Sequence, residues 1–182
     1  MLNRFYFFLA SKFIFMHTDL DASDVRILQL LQHDARMTTK EIADKLGLSA
    51  TPVYERIRRL ENEGYILGYV ALLNKDKIDR NLIGYTTVQL KEHSQQVLRS
   101  FEKEVIKFHE VMECSQLTGQ ADFLLKVVIR DMEAYHDFLM NKLSTLPNIG
   151  VVQTSFVLAQ AKDDTAYHLE VKTADKRKRK NG

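Results

Sequence analysis

The tightest constraint on this chain is the run from Thr38 to Tyr69, TTKEIADKLGLSATPVYERIRRLENEGYILGY. Thr38 and Glu41 have the spacing of a capping box, in which a Thr side chain accepts from a backbone N–H and a Glu three residues on reaches back. The spacing predicts a helix over Thr39–Leu46, with Ile42 and Leu46 on its buried side. Gly47 stands where the chain must turn through positive φ. Leu48 is expected to plug the core, and Ser49 to cap a further helix. Pro52 falls in the first turn of that helix, where a missing N–H costs nothing. At about 100° per residue, Val53, Ile57 and Leu60 form the packed side of this third helix. Thr51, Glu55, Arg58 and Asn62 lie opposite, with Tyr54 and Arg59 flanking them. Arg56 sits nearer the buried edge, as a brace to neighbouring elements or a phosphate contact. Gly64 ends the helix, and Tyr65–Leu67 and Tyr69–Leu72 flank Gly68 as a short hairpin. Helix-turn-helix followed by a hairpin is a winged helix.

The outward residues suit base edges and phosphates in a major groove. Taken alone they are also compatible with a plain solvated face, with Glu55 and Arg59 as an i,i+4 pair worth tenths of a kcal/mol. A preceding helix over Ala22–His33 completes a three-helix core. Asp21 is its N-cap with Asp24 three residues on, and Val25, Ile27, Leu28, Leu30 and Leu31 make its apolar face.

The second half reads β-α-β-β-α-β. Ile83–Leu90 is a strand, Gln95–Phe108 a helix, Val111–Leu117 a strand and Thr118–Asp122 a turn. Phe123–Ile129 is an almost continuous apolar strand, Met132–Leu143 a helix and Val151–Leu158 the last strand. This order implies a ferredoxin-like antiparallel sheet with both helices on one face. The run FLLKVVI lacks the alternation of a strand with one wet face, so a second subunit is the economical cover for the other side.

Ile27–Leu28, Asp34–Ala35–Arg36, Glu41–Ile42–Ala43, Leu48–Ser49, Arg56–Ile57–Arg58–Arg59–Leu60–Glu61, Gly64 and Gly68–Tyr69 resemble the DNA-binding half of the Lrp/AsnC family of transcription regulators. The turn Thr118–Gly119–x–x–Asp122–Phe123–Leu124–Leu125 is similar to that family's signature between its second and third strands. The resemblance implies a fold of the α+β class: an N-terminal winged helix-turn-helix domain, then a ferredoxin-like βαββαβ effector and oligomerisation domain. It also implies a sequence-specific regulator that binds double-stranded DNA, pairs sheet to sheet as a homodimer or higher oligomer (tetramer, octamer), and answers to a small effector such as an amino acid. DNA contact is assigned, from the outward side of the third helix and its start, to Ser49, Thr51, Tyr54, Glu55, Arg58 and Arg59. Effector contact is assigned to Thr118, Gly119 and Asp122. Asp122 would accept from an ammonium and amides near Gly119 would meet a carboxylate. The plain alternative is that Gly119 makes a turn and Asp122 caps it.

Charge does not announce a DNA-binder: residues 1–80 carry a net +1, 81–171 a net −4 and 172–182 a net +5. The middle is therefore a poor nucleic-acid surface, whereas Lys176–Lys180 are candidates for non-specific phosphate contacts. Residues 1–15 hold eleven apolar side chains, six of them aromatic, but Lys12 interrupts the run and it is too short to span a bilayer. They mark either an early start site or an extra segment that packs locally. The expected organisation is thus an extra segment over 1–16, the DNA-binding domain over 17–74, a connector over 75–82, the ferredoxin-like domain over 83–160, and a C-terminal segment over 161–182. The lone Cys114 excludes an intrachain disulfide and fits a reducing cytoplasm. No P-loop, dinucleotide fingerprint or H-E-x-x-H occurs, and His93, His109, His136 and His168 have no ligand spacing. No cofactor, metal site or membrane partner is expected. Two other function classes stay open: an architectural DNA protein without an effector, and a small-molecule enzyme built on a ferredoxin-like dimer.

Overall fold

The computed structural model describes residues 20–171; the expectations for 1–16 and for Lys176–Lys180 lie outside the described residues. The described residues divide into two compact units, one formed by those up to Val70 together with Asp164–Val171, the other by Ala71–Asp163.

In the first unit, α1 spans Ala22–His33, α2 Thr39–Leu46 and α3 Ala50–Asn62. Local chemistry sets these bounds. Asp21 and Asp24 form a reciprocal capping box on α1, as do Thr38 and Glu41 on α2. Gly47 closes α2 at φ 65°, a backbone state that a side chain disfavours. Gly64, at φ 77°, lets the Tyr65 and Ile66 amides return to the Leu60 carbonyl. Ile27, Ile42, Val53 and Leu60 are fully buried at the centre, and Ile57, Tyr65 and Ile66 pack around them.

Two expectations fail here. Leu48 is 40% exposed and does not plug the core; its amide, rather than its side chain, is tied down, to the Ala43 carbonyl. Tyr65–Leu72 forms no strand ladder. Leu67, Val70 and Leu72 stay open to solvent, so an isolated two-stranded ribbon there would bury too little to hold itself together. A contact that sequence reading did not foresee completes the unit. The Gln29 amide donates to the Leu169 carbonyl (3.0 Å), Gln32 bonds both the amide and carbonyl of Tyr167, and Leu169 packs on the three-helix core.

In the second unit, β1 (Leu82–Leu90), α4 (Gln95–Val105), β2 (Val111–Gln116), β3 (Phe123–Ile129), α5 (Met132–Asn141) and β4 (Ile149–Phe156) follow one another, with a 3-10 turn at Leu143–Thr145 after α5. The sheet order is β2-β3-β1-β4 and every pairing is antiparallel. Val88, Leu90, Phe123, Leu125, Val127 and Ile129 meet Phe101, Val105, Phe138 and Leu143 in one core. α4 ends at Val105, three residues short of the expected Phe108, yet the Phe108 ring still packs edge-on against Phe138.

β3 does alternate, contrary to the expectation from its composition. Phe123, Leu125, Val127 and Ile129 are buried, while Leu124, Lys126 and Val128 are half-buried on the opposite side. Because both faces of β3 are largely apolar, the period of two is invisible in the letters and appears only in the burial. Within the helix-side core the Thr86 hydroxyl bonds Thr154 (2.8 Å), which also bonds the Tyr135 hydroxyl, so the polar atoms there are paired.

Candidate nucleic-acid interface and effector turn

α3 is held by burial of Val53 and Leu60 and by a charged cluster against the start of α1. Arg56 Nη1 reaches Asp21 Oδ2 and Asp24 Oδ1, each at 2.7 Å, and Arg59 Nη2 reaches Asp24 Oδ2 at 2.6 Å. Asp24 is only 1% exposed, so both carboxylate oxygens of a buried group are neutralised by two guanidinium groups. Hydrogen bonds donated to Asp21 and Asp24 push Arg56 above its usual range, and the one donated to Asp24 does the same for Arg59. Burial pushes the Asp21 carboxyl up, but the Asp24 amide and the Arg56 guanidinium outweigh it and hold Asp21 below the ordinary carboxylate range.

This geometry divides the expected DNA-contact set. Ser49, Thr51, Tyr54, Glu55 and Arg58 are exposed on one side of α3. The Ser49 hydroxyl makes no cap bond and Arg58 has no ion-pair partner among the described residues, so both are available to an anion at the helix N-terminus or along its face. Arg59 is placed differently: it pairs with Asp24 rather than with Glu55. Arg56 takes the bracing role, with its guanidinium spanning two acids of α1.

The turn between β2 and β3 is built around Asp122. Its Oδ2 accepts the Leu90 amide (2.7 Å) and lies 3.3 Å from His93 Nε2. Its own amide donates to the Val88 carbonyl, and its carbonyl accepts the Leu117 amide. Asp122 therefore ties β1 to the ends of β2 and β3. Thr118 and Gly119 are exposed at the tip, and Gly119 adopts φ 133°. A half-open cavity of about 150 Å³ lies apart from these three, between the start of α4 and the Pro147–Asn148 turn. His93 was missed by sequence reading, since proximity to Asp122 depends on the sheet pairing rather than on spacing along the chain.

Cys114 is half-buried against the helix-side core; burial and the Glu102 charge push its thiol up to about 11, so it is a packing residue and not a nucleophile. No helix among the described residues is long and apolar enough to cross a membrane. Nor do they hold a group of three His, Cys, Asp or Glu side chains arranged for a metal ion.

Known proteins share both halves of this arrangement. Residues 20–66 match a winged helix-turn-helix DNA-binding family, and residues 84–167 match the Lrp/AsnC ligand binding domain. The chain is 38% identical to the Bkd operon transcriptional regulator of Pseudomonas aeruginosa, over 77% of this chain and 92% of that one. It is equally 38% identical to the leucine-responsive regulatory protein of Escherichia coli, over 85% and 93%. Among solved structures, a transcriptional regulator of Neisseria meningitidis in complex with L-Met superposes with a TM-score of 0.78 at 32% identity, over 82% of this chain and 96% of that one. AsnC of Escherichia coli superposes at 0.75 with 25% identity, over 80% and 97%.

Proposed function

The chain belongs to the Lrp/AsnC family, DNA-binding transcription regulators with an effector-binding second domain, and on that premise we propose which of its residues read DNA and how a ligand reaches them. The observation that carries the proposal is the division on α3. Thr51, Tyr54, Glu55 and Arg58 face outward with Ser49 at the helix start, while Arg56 and Arg59 are spent on Asp21 and Asp24. Two such helices, one from each protomer of a homodimer, enter successive major grooves of a roughly palindromic site. Arg58 reads a base edge, and Ser49 and Thr51 meet phosphate or an adjacent base. The protein acts in the cytoplasm, by occupancy of DNA and not by catalysis.

Assembly uses the sheet face opposite the helices. Tyr85 and Val151 are exposed there, Leu124 and Val128 half-exposed, with the Lys126–Glu113 ion pair beside them. A second sheet laid on this face buries that apolar strip, and dimers then assemble further into tetramers or octamers. The effector is an amino acid held at the Thr118–Asp122 turn between dimers. A ligand shared between subunits shifts assembly only by the difference in its affinity for the two arrangements. The L-Met complex of the Neisseria relative supports the ligand class, and the exposure of Thr118 and Gly119 supports the place.

The test is a gel shift on a selected operator, paired with thermal shift across the twenty amino acids and light scattering. We expect a mass at least twice the 21.1 kDa of one chain and stabilisation by one or a few amino acids. A clean monomer at micromolar concentration removes the two-helix reading. Operator binding with no amino acid shifting the protein favours the architectural role instead.

A further inference from the structure

The imidazole beside Asp122 gives the effector turn a property that the turn residues alone do not have. The Asp122 side chain is 15% exposed, and its two oxygens are used unequally. Oδ2 accepts the Leu90 amide at 2.7 Å and stands at ion-pair distance, 3.3 Å, from His93 Nε2. Oδ1 has no hydrogen-bond partner among the described residues, yet it is not one of the enclosed unpaired atoms. It is the open acceptor of the carboxylate. His93 lies on the connector between β1 and α4, and that connector is anchored on both sides of it. Two residues earlier the Lys91 amide donates to the Asn148 carbonyl (2.8 Å), and one residue later Ser94 caps α4. The fold thus brings this imidazole to the turn. Lys91 and Glu92 share the connector with His93. The Thr118–Asp122 turn contributes Asp122 as its one titratable side chain, and the end of β1, the first turn of α4 and the run 147–150 contribute none.

We propose that His93 is a positioning residue of the effector turn, acting through Asp122 to set the charge that a ligand meets there. The inference rests on the reading of this turn as an amino-acid site and names its regulation. With a neutral imidazole, Asp122 offers an uncompensated negative charge and a free Oδ1 to an ammonium group. With an imidazolium, two cations share one carboxylate and repel each other. Proton binding at His93 and ammonium binding at Asp122 are then antagonistic, and the antagonism is reciprocal. Histidine is the side chain whose charge ordinarily changes between about pH 5 and 8, whereas an aliphatic amino acid stays zwitterionic over that range. Affinity for a ligand bearing an ammonium therefore falls as the pH falls. A ligand of the same shape with an acylated nitrogen does not show that loss.

The experiment is calorimetric titration of the full chain with L-methionine and L-leucine at about pH 7.5 and about pH 5.5, with N-acetyl-L-methionine as the probe that lacks an ammonium. Wild type should bind the two amino acids about threefold or more weakly at the lower pH, and the acylated probe should show no such loss. His93→Gln, neutral throughout, should lose the pH dependence. His93→Lys, cationic throughout, should lose it too and bind at least about threefold more weakly than His93→Gln at the higher pH. His93 is half-exposed, so circular dichroism of both variants should match wild type. A flat wild-type profile overturns the proposal, as does a slope retained in His93→Gln or equal affinity in the two variants. Asp122→Asn keeps an acceptor for the Leu90 amide and removes the charge. Undiminished binding of L-methionine and L-leucine by that variant, or no binding of either by wild type, overturns the effector reading and the proposal with it. Weakened binding in Asp122→Asn, with both His93 variants following the wild-type profile, leaves that reading standing and overturns the role of His93 alone.

Discussion

Arg58 and Arg59 are adjacent in sequence, and replacing each by alanine should produce opposite phenotypes. Arg59 donates to Asp24 Oδ2 at 2.6 Å, a charge-assisted bond of a class worth about 1.5–3 kcal/mol. Two features reduce that figure. The guanidinium is 35% exposed and so partly screened, and Arg56 still occupies the other oxygen of Asp24, which prevents an unpaired buried charge. Arg59→Ala should therefore cost about 1–2 kcal/mol of stability in the first unit. Operator affinity, measured well below the unfolding transition, should stay within about twofold of wild type. Arg58 has no intrachain partner among the described residues, so Arg58→Ala should leave stability within about 0.5 kcal/mol. It should weaken operator binding by about 5- to 150-fold, the equivalent of losing one base contact of about 1–3 kcal/mol. Urea denaturation and gel shift on the same preparations decide the matter. If Arg59→Ala loses affinity without losing stability, the assignment of Arg59 to Asp24 is wrong. Equal effects from both variants would refute the division of α3 altogether.

Asp122→Ala should strip the Leu90 amide of its acceptor and cost about 1–3 kcal/mol of the second unit's stability; the same variant should abolish the effector's influence on oligomer mass, and a response surviving intact would move the ligand elsewhere. Gly150→Ala places a Cβ 2.8 Å from the Gln89 carbonyl oxygen at the register shift where Gly150 is the extra residue of β4, so a loss of about 1–3 kcal/mol is expected in thermal unfolding, and a neutral outcome would contradict that approach. Burial pushes the Glu110 carboxyl up, but the Lys142 ammonium and a backbone bond hold it below its ordinary 4.5. A lowered folded value means stability that is present above 4.5 and lost as pH falls through the folded value. Glu110→Gln should thus be less stable than wild type at about pH 7, with the gap closing below about pH 4.5.

The helix-turn-helix was legible because its determinants are local. Asp21 with Asp24, Thr38 with Glu41, and Gly47 and Gly64 each act within a few residues, so the observed limits of α1 and α2 match those expected. The wheel of α3 separated buried from outward residues but gave no hint of what stands opposite a flank. The partner of Arg59 lies 35 residues earlier on another helix, and nothing in local spacing points to it. The same gap hid the Leu90 and His93 contacts of Asp122, which depend on the β1–β3 register. Tyr65–Leu72 misled in the other direction: turn and β-forming residues are present, but a ribbon needs a surface to cover it, and the unit supplies none. The seat of Tyr167 and Leu169 carried no periodic signal, since one leucine among polar residues reads as a tail.

The hydroxyl chain of Thr86, Thr154 and Tyr135 has a consequence for the edge of the sheet. β4 is an outer strand held on one side only, by β1. Sliding it by two residues would keep every side chain on its present face, so apolar burial alone does not forbid the move. In the slipped states Thr86 would face Val152 or Phe156, and three hydroxyls would be left without partners in an apolar layer. The threonine pair thus works as a detent: it adds little to the depth of the native well but penalises the neighbouring wells. The residue at which the chain leaves the sheet is fixed by polar matching.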